Sequence, residues 1–451
     1  MKMLQELVEA TNPQASQVDT PSLTVSGNGE TGDVFGVDQL ATASIGAAAA
    51  AIAAYAGVTN VHVNRRLASL WFNKSLSPIG WQLPDIWDDI AGNYPTKDGW
   101  VRLHTNAKAH RLAVLRVLNG AADRAEIAKQ VQQWKSVELQ EAVVAEGGAS
   151  AMMLSIEEWA NHPNGKAVSQ EPLVHWSHSE GQSLPVITNP QRPLEGVRVL
   201  DMTRIIAGPV ATRFLALFGA DVLRIDPPGW EERGNAEELT PGKRCATLNI
   251  KDKNDLSTLR KLISQAHVMV HGYRADALEK LGLGAAERRA LNPGLIDVSH
   301  NAYGWTGPWR NRRGFDSVIQ MSCGIDHQGM LKAGEAAPKS MTVQALDHAT
   351  GYLIAASVIN GLRCLKERGQ ASSARLSLAA TAEFLKKQGL KSWGPKIGAA
   401  QMREYNQVVE ATDWGPGNRL LLPFDVAGLD AFWRSPATRL HTGEAKFRGN
   451  N

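Results

Sequence analysis

VRVLDMTRIIAGP, residues Val197 to Pro209, opens as an apolar run of strand length and closes in small residues and a proline. A strand leading through Thr203-Arg204-Ile205-Ile206 into Ala207-Gly208-Pro209 and a helix is the turn at which open α/β sheets bind ligands, and proline suits the first helical turn. Outward from it, the runs Val197–Leu200, Asp221–Ile225, Val268–Val270 and Leu295–Val298 alternate with helix-length segments such as Ala211–Phe218 and Leu256–Ala266. Buried strands separated by helices predict βαβ units and an α/β fold with a Rossmann-like, doubly wound, mostly parallel sheet. The turn lacks GxGxxG spacing, so a nicotinamide or flavin site gains no support.

At 451 residues the chain exceeds the size at which one core stops growing, so more than one domain is expected. Polar residues with no sustained apolar period predict a flexible arm over 1–36. Residues 37–178 read as a mainly helical small domain, with helices at Gly46–Ala56, Ala107–Asn119, Arg124–Trp134 and Val137–Glu146 and a strand at Trp100–His104. Glycine and prolines predict a linker over 179–192, the sheet domain covers 193–389, and 390–451 is a C-terminal segment too short to be a full domain.

Hydrophobic residues make up 43%, charged residues 21%, and the net charge is +3. That composition is globular and gives no footprint for nucleic acid. Cys245, Cys323 and Cys364 are widely spaced, which predicts neither a disulfide framework nor a cysteine metal site and suits a reducing, cytoplasmic setting. The alanine-rich run Ala41–Gly57 predicts a buried helix rather than a membrane span. The opening MKMLQELVEATNPQ does not resemble a secretory signal.

From Pro193 to about Leu385 the chain resembles family III CoA-transferases, the group of formyl-CoA transferase, carnitine CoA-transferase and the alpha-methylacyl-CoA racemases. The resemblance rests on PLEGVRVLDMTRIIAGP (Pro193–Pro209), FGADVLRID (Phe218–Asp226), GKRCATLNIK (Gly242–Lys251), VHGYRADALEKLGLG (Val270–Gly284), YGWTGPW (Tyr303–Trp309), RGFDSVIQ (Arg313–Gln320) and LDHATGYL (Leu346–Leu353) in family order. YPTKDGWVRLHTN (Tyr94–Asn106) and SIEEWANHPNGKA (Ser155–Ala167) resemble the family's small domain, placed here ahead of the large one.

The resemblance implies transfer of CoA between an acyl-CoA and a carboxylic acid acceptor, with no permanently bound cofactor or metal, in an interlocked homodimer. It places the nucleophile at Asp347, which would attack the thioester; helix N-capping is the competing role for an aspartate there. It places CoA contacts at Arg204, Lys251, Tyr273, Lys280 and Arg313, each of which could instead be a surface charge or a packed ring. Fixed cations and an aromatic shelf suit the phosphates and adenine of CoA.

Departures from the pattern keep two other readings open. Pro227 stands where a basic residue is common, and Ile206 stands where formyl-CoA transferase-like members have glutamine; both favour a CoA-binding pseudoenzyme. A racemase needs a histidine where this chain has Phe315, unless His348 or another base replaces it. His104 and His110, without metal-ligand spacing to a third ligand, are expected to have packing or surface roles, and Asp201 and Asp316 to organise backbone.

Overall fold

The computed structural model describes residues 1–12, 21–120, 123–182, 189–274, 276–391 and 396–449. The main sheet has seven strands: β1 His175–Glu180, β2 Arg198–Met202, β3 Asp221–Asp226, β4 Lys243–Thr247, β5 Val268–His271, β6 Ile296–Asn301 and β7 Gln370–Ser377. Across the sheet they run β4-β3-β2-β5-β6-β7-β1. All neighbouring pairs are parallel except β7 with β1. In register, Val199 lies between Val222 and Val268, and all four residues of β5 are buried, which is why the central strands read as unbroken apolar runs. Chain order reverses between β2 and β5, so the carboxyl ends of these two strands flank the switch-point crevice.

The helices that position the site are α1 Lys2–Thr11, α2 Val37–Ala56, α3 Ala207–Leu217, α4 Asp316–Ser322 and α5 Ala345–Arg368. Every residue of α5 from Ala345 to Leu362 is buried. α2 packs along it, and α3 crosses it at Gly351, where an added Cβ would lie 2.5 Å from the Ala207 carbonyl oxygen. The alanines Ala47–Ala51 let α2 approach closely, and Gly57, at a left-handed φ of 73°, ends that helix.

Three expectations change at this level. The flexible arm over 1–36 begins instead with α1, whose Met3, Leu4, Leu7 and Thr11 form one buried helical face against α2, and Ser22–Ser26 pairs in parallel with Asn60–Asn64. Residues 13–20 of that arm lie outside the described residues. The separate core of the small domain lies between Ile90 and Val143; its antiparallel sheet of Gly92–Pro95 and Trp100–Leu103 is extended by Ser150–Met152, whose Ala151 already belongs to the main core. α2, within 37–178, belongs to the main core, and β1, which begins in that span at His175 and runs on to Glu180, belongs to the main sheet. Of the expected linker, Ser179 and Glu180 are strand, and 183–188 lie outside the described residues.

A buried ionic network joins three distant segments. The Glu238 carboxylate accepts from the backbone N–H groups of Ser75 and Leu76 at 3.1 Å each, and from the Ser75 hydroxyl. Arg213 Nη1 donates to it at 2.6 Å and Arg419 Nη1 at 3.3 Å, while Arg419 Nε also donates to Glu410 at 2.7 Å. Burial acts to raise the carboxyl of Glu238, but Arg419 and Arg213 outweigh it and hold the group below its ordinary range. A group depressed in this way contributes stability above its unfolded pKa and loses it as pH falls through the folded value. Glu238→Ala leaves two guanidiniums buried without their carboxylate, and urea titration at neutral pH is expected to show a loss of about 3–5 kcal/mol that shrinks towards acid pH.

Candidate functional site

The turn after β2 is strained. Ile205 has a φ of 71°, an outlier for a β-branched residue, and such strain costs on the order of 1–3 kcal/mol. Its N–H donates to Glu232 Oε1 at 2.8 Å, and Glu232 is itself fixed by Arg224 at 2.7 Å and by the Trp230 indole N–H at 2.8 Å. This clamp imposes the turn. Gly208 is required beside it, because a Cβ there would lie 2.2 Å from the Thr203 side chain.

Arg204 projects from the turn between two rings, 5.1 Å from the centre of Trp230 and 5.3 Å from that of Tyr273. Its Nη2 donates to the Tyr273 hydroxyl at 3.1 Å, and its Nε lies 3.5 Å from Asp226. Two of the sequence-derived CoA contacts therefore meet at the carboxyl ends of β2 and β5. Trp230 was not anticipated: Pro227 accepts its N–H in the turn after β3 and so brings an indole, in place of a basic side chain, against Arg204. Lys251 and Lys280 are exposed, and Lys280 is ion-paired with Asp276. Arg313 is exposed on the side of the N-terminal half, its Nη1 3.5 Å from where a Cβ on Gly147 would lie. Partial desolvation, with Arg274 nearby, lowers its pKa.

Asp347 opens α5 but does not cap it. The cap comes from Asp316 at the start of α4, whose Oδ2 accepts the N–H groups of Leu346 at 2.8 Å and Asp347 at 3.0 Å. Its other oxygen accepts from Gln320. Asp316 thus organises backbone, as expected, and the competing N-cap role for Asp347 is filled by another residue. Asp347 is 6% exposed as a residue, and its carboxyl accepts no hydrogen bond among the described residues. Burial, reinforced by the negative charge of Asp316, raises it well above the ordinary carboxylate range. It shares one helical face with Gly351, four residues on, and hence with the start of α3.

The neighbouring His348 points elsewhere. It stacks on Phe72 at 5.2 Å, and burial, with Arg213 adding to it, lowers its pKa to about 3. Phe315, where a racemase would carry histidine, is instead stacked against His104 with ring centres 3.9 Å apart, and His110 meets its edge at 5.6 Å. Both histidines come from the N-terminal half. Burial holds them neutral, His104 well below its ordinary value and His110 at about 4. Their packing role was legible in the sequence; their place against Phe315 was not.

Residues 194–412 match the model described as CoA-transferase family III. The chain is 30% identical over 271 residues to an acyl-CoA transferase of Gibberella moniliformis, a match that covers 56% of this chain and 47% of that protein. It is 31% identical over 205 residues to a probable fatty acyl-CoA transferase of Mycobacterium tuberculosis, covering 42% of this chain and 52% of the relative. A crystal structure of that M. tuberculosis protein superposes with a TM-score of 0.40 at 29% identity, covering 44% of this chain and 59% of that one. The chain spans about half the length of the curated relatives it matches.

Asp316→Asn retains an acceptor for the α5 cap while removing the charge that faces Asp347. The Asp347 carboxyl is then expected to titrate at lower pH than in the parent protein, read by carboxyl-carbon NMR of aspartate-labelled protein against an Asp347→Asn control. An unchanged titration would show that burial alone sets the value.

Proposed function

With residues 194–412 belonging to CoA-transferase family III, we propose that this chain moves CoA from an acyl-CoA to a carboxylic acid through covalent catalysis at Asp347. The observation that carries this reading is the division of labour at the start of α5. Asp316 supplies the cap, and the Asp347 carboxyl is left buried, unbonded among the described residues and facing the start of α3. A carboxylate that made the cap hydrogen bonds itself would be a poorer nucleophile.

In this reading CoA lies in the crevice between the carboxyl ends of β2 and β5, its phosphates near Arg204 and its planar adenine near Trp230 and Tyr273. The deprotonated Asp347 attacks the thioester carbonyl carbon. The C–S bond breaks, CoA leaves as thiolate, and an acyl-aspartyl anhydride forms. The thiolate attacks the aspartyl carbonyl and releases the first carboxylate, leaving CoA on Asp347 as a thioester. The acceptor carboxylate attacks that thioester, and returning thiolate takes the new acyl group and regenerates Asp347. Every step exchanges one acyl bond for another, so no oxidant or permanent cofactor is required.

Low dielectric around Asp347 favours this chemistry, because a carboxylate freed of water is a stronger nucleophile. His104 and His110, both from the N-terminal half, stand on the Phe315 side of the site. Their presence supports a site completed within one chain, and a homodimer is then not needed to close it.

Incubation with acyl-CoA followed by hydroxylamine and mass spectrometry is expected to place a hydroxamate on Asp347, absent in Asp347→Asn. Transfer should rise with pH along an acid limb set by the raised Asp347 carboxyl. Trp230→Leu should weaken CoA binding by about tenfold, the scale of a lost stacking contact. Saturable CoA binding without adduct or exchange would instead identify a binding protein. Because its folded pKa is raised, Asp347 disfavours the fold as pH rises through that value, so Asp347→Asn should also be the more stable protein at neutral pH.

A further inference from the structure

At the opposite end of the sheet, where β2 and β3 begin, a groove of about 540 Å³ lies among Arg198, Asp221, Arg434 and Arg448, with Gly219 and Gly242 in its wall. That volume falls in the range of small-molecule sites. Its two carboxylates are already taken up. Glu195 accepts from Arg434 and from Asn189 at 2.6 Å, and Asp221 accepts from Arg244 at 2.8 Å and from the Arg448 backbone N–H at 2.9 Å. Behind the wall, Arg192 is only 4% exposed. Its guanidinium lies 3.8 Å from the centre of the Phe432 ring and, among the described residues, donates to the backbone carbonyls of Leu217, Asp430 and Phe432.

Arg192 Nε is buried without a hydrogen-bond partner among the described residues, as is Arg244 Nε. A Cβ on Gly219 would lie 3.4 Å from Arg192 Nε, so the glycine leaves that guanidinium close to the groove. Burial, followed by repulsion from Arg434, lowers the pKa of Arg192, the sign of a cation with too little countercharge. Of the arginines that line the groove, Arg198 donates through Nε to the Gln265 carbonyl at 2.6 Å, Arg434 through one Nη to Glu195, and Arg448 Nε stands 3.9 Å from Asp221. The remaining N–H groups of these three forks, set around a concave surface, match the oxygens of phosphate groups.

We propose that this groove is a second ligand site, separate from the CoA crevice, that binds a small phosphorylated molecule through Arg198, Arg434 and Arg448 with Arg192 behind them. Arg434 and Arg448 are the half-exposed members and can be replaced without opening the core. The site is tested by calorimetric titration of the full chain with inorganic pyrophosphate and, separately, with AMP.

Saturable binding that weakens with salt is expected, and Arg434→Gln with Arg448→Gln should weaken it by at least about tenfold. The corresponding lysine variants should recover part of the loss, and the CoA affinity of the glutamine variants should be unchanged. Tighter binding of AMP identifies a nucleotide ligand, and tighter binding of pyrophosphate a simple polyphosphate. Hydrogen exchange on the unmodified chain should show protection by the probe around residues 195–198 and 219–221. The proposal is overturned if neither probe binds at millimolar concentration, or if binding survives in the double glutamine variant and is lost in Arg204→Gln, which would place the anion in the CoA crevice.

Discussion

A helix with no face left to solvent imposes a condition at each of its ends. The first-turn N–H groups of α5 are enclosed by protein, so water cannot satisfy them, and an unpaired buried donor costs about 1–3 kcal/mol. Asp316, from a helix that begins thirty-one residues earlier, meets this condition for Leu346 and Asp347. Its charge then acts on the carboxyl group beside it. One hydrogen-bonding requirement therefore ties together the burial of α5, the orientation of α4 and the perturbed acidity of Asp347.

The N-terminal half is part of the same construction. α2 supplies the alanine-rich surface against which α5 packs, α1 covers α2, and β1 completes the sheet beside β7. Ser75 and Leu76 donate to Glu238, which also receives Arg213 from α3 and Arg419 from near the C-terminus. The compact unit of Ile90–Val143 has its own core and leans its histidines on Phe315. What resembled a small domain placed first in the chain is in part scaffold for the large one.

The parallel strands were legible because strands buried on both faces leave apolar runs, and the β2 turn because glycine and proline mark it. β1 was divided between the end of the helical small domain and the start of the linker: HWSHSE is a half-exposed edge strand with no apolar alternation, and pairing with β7 makes it strand. α1 was lost within a polar segment although its buried residues keep helical spacing. At the site, Asp347, Arg204 and Tyr273 could be marked from motifs carried by short segments. Trp230 and Glu232 could not, and for Asp316 and His104 the kind of role was legible but not the partner, since all four act through contacts that only the folded chain creates.

The pairing of early with late segments bears on how the protein is made. α2 finds its apolar partner in α5 some three hundred residues further on, and β1 finds its only strand neighbour in β7. On a ribosome that releases the N-terminus first, the alanine-rich helix and the edge strand emerge long before the surfaces that cover them exist. The Ile90–Val143 unit finds most of its own core within one short stretch, while α2 and β1 find theirs far along the chain. The nascent chain thus carries α2 covered by α1 but without its α5 face for most of its synthesis, an apolar surface that waits on the last third of the chain.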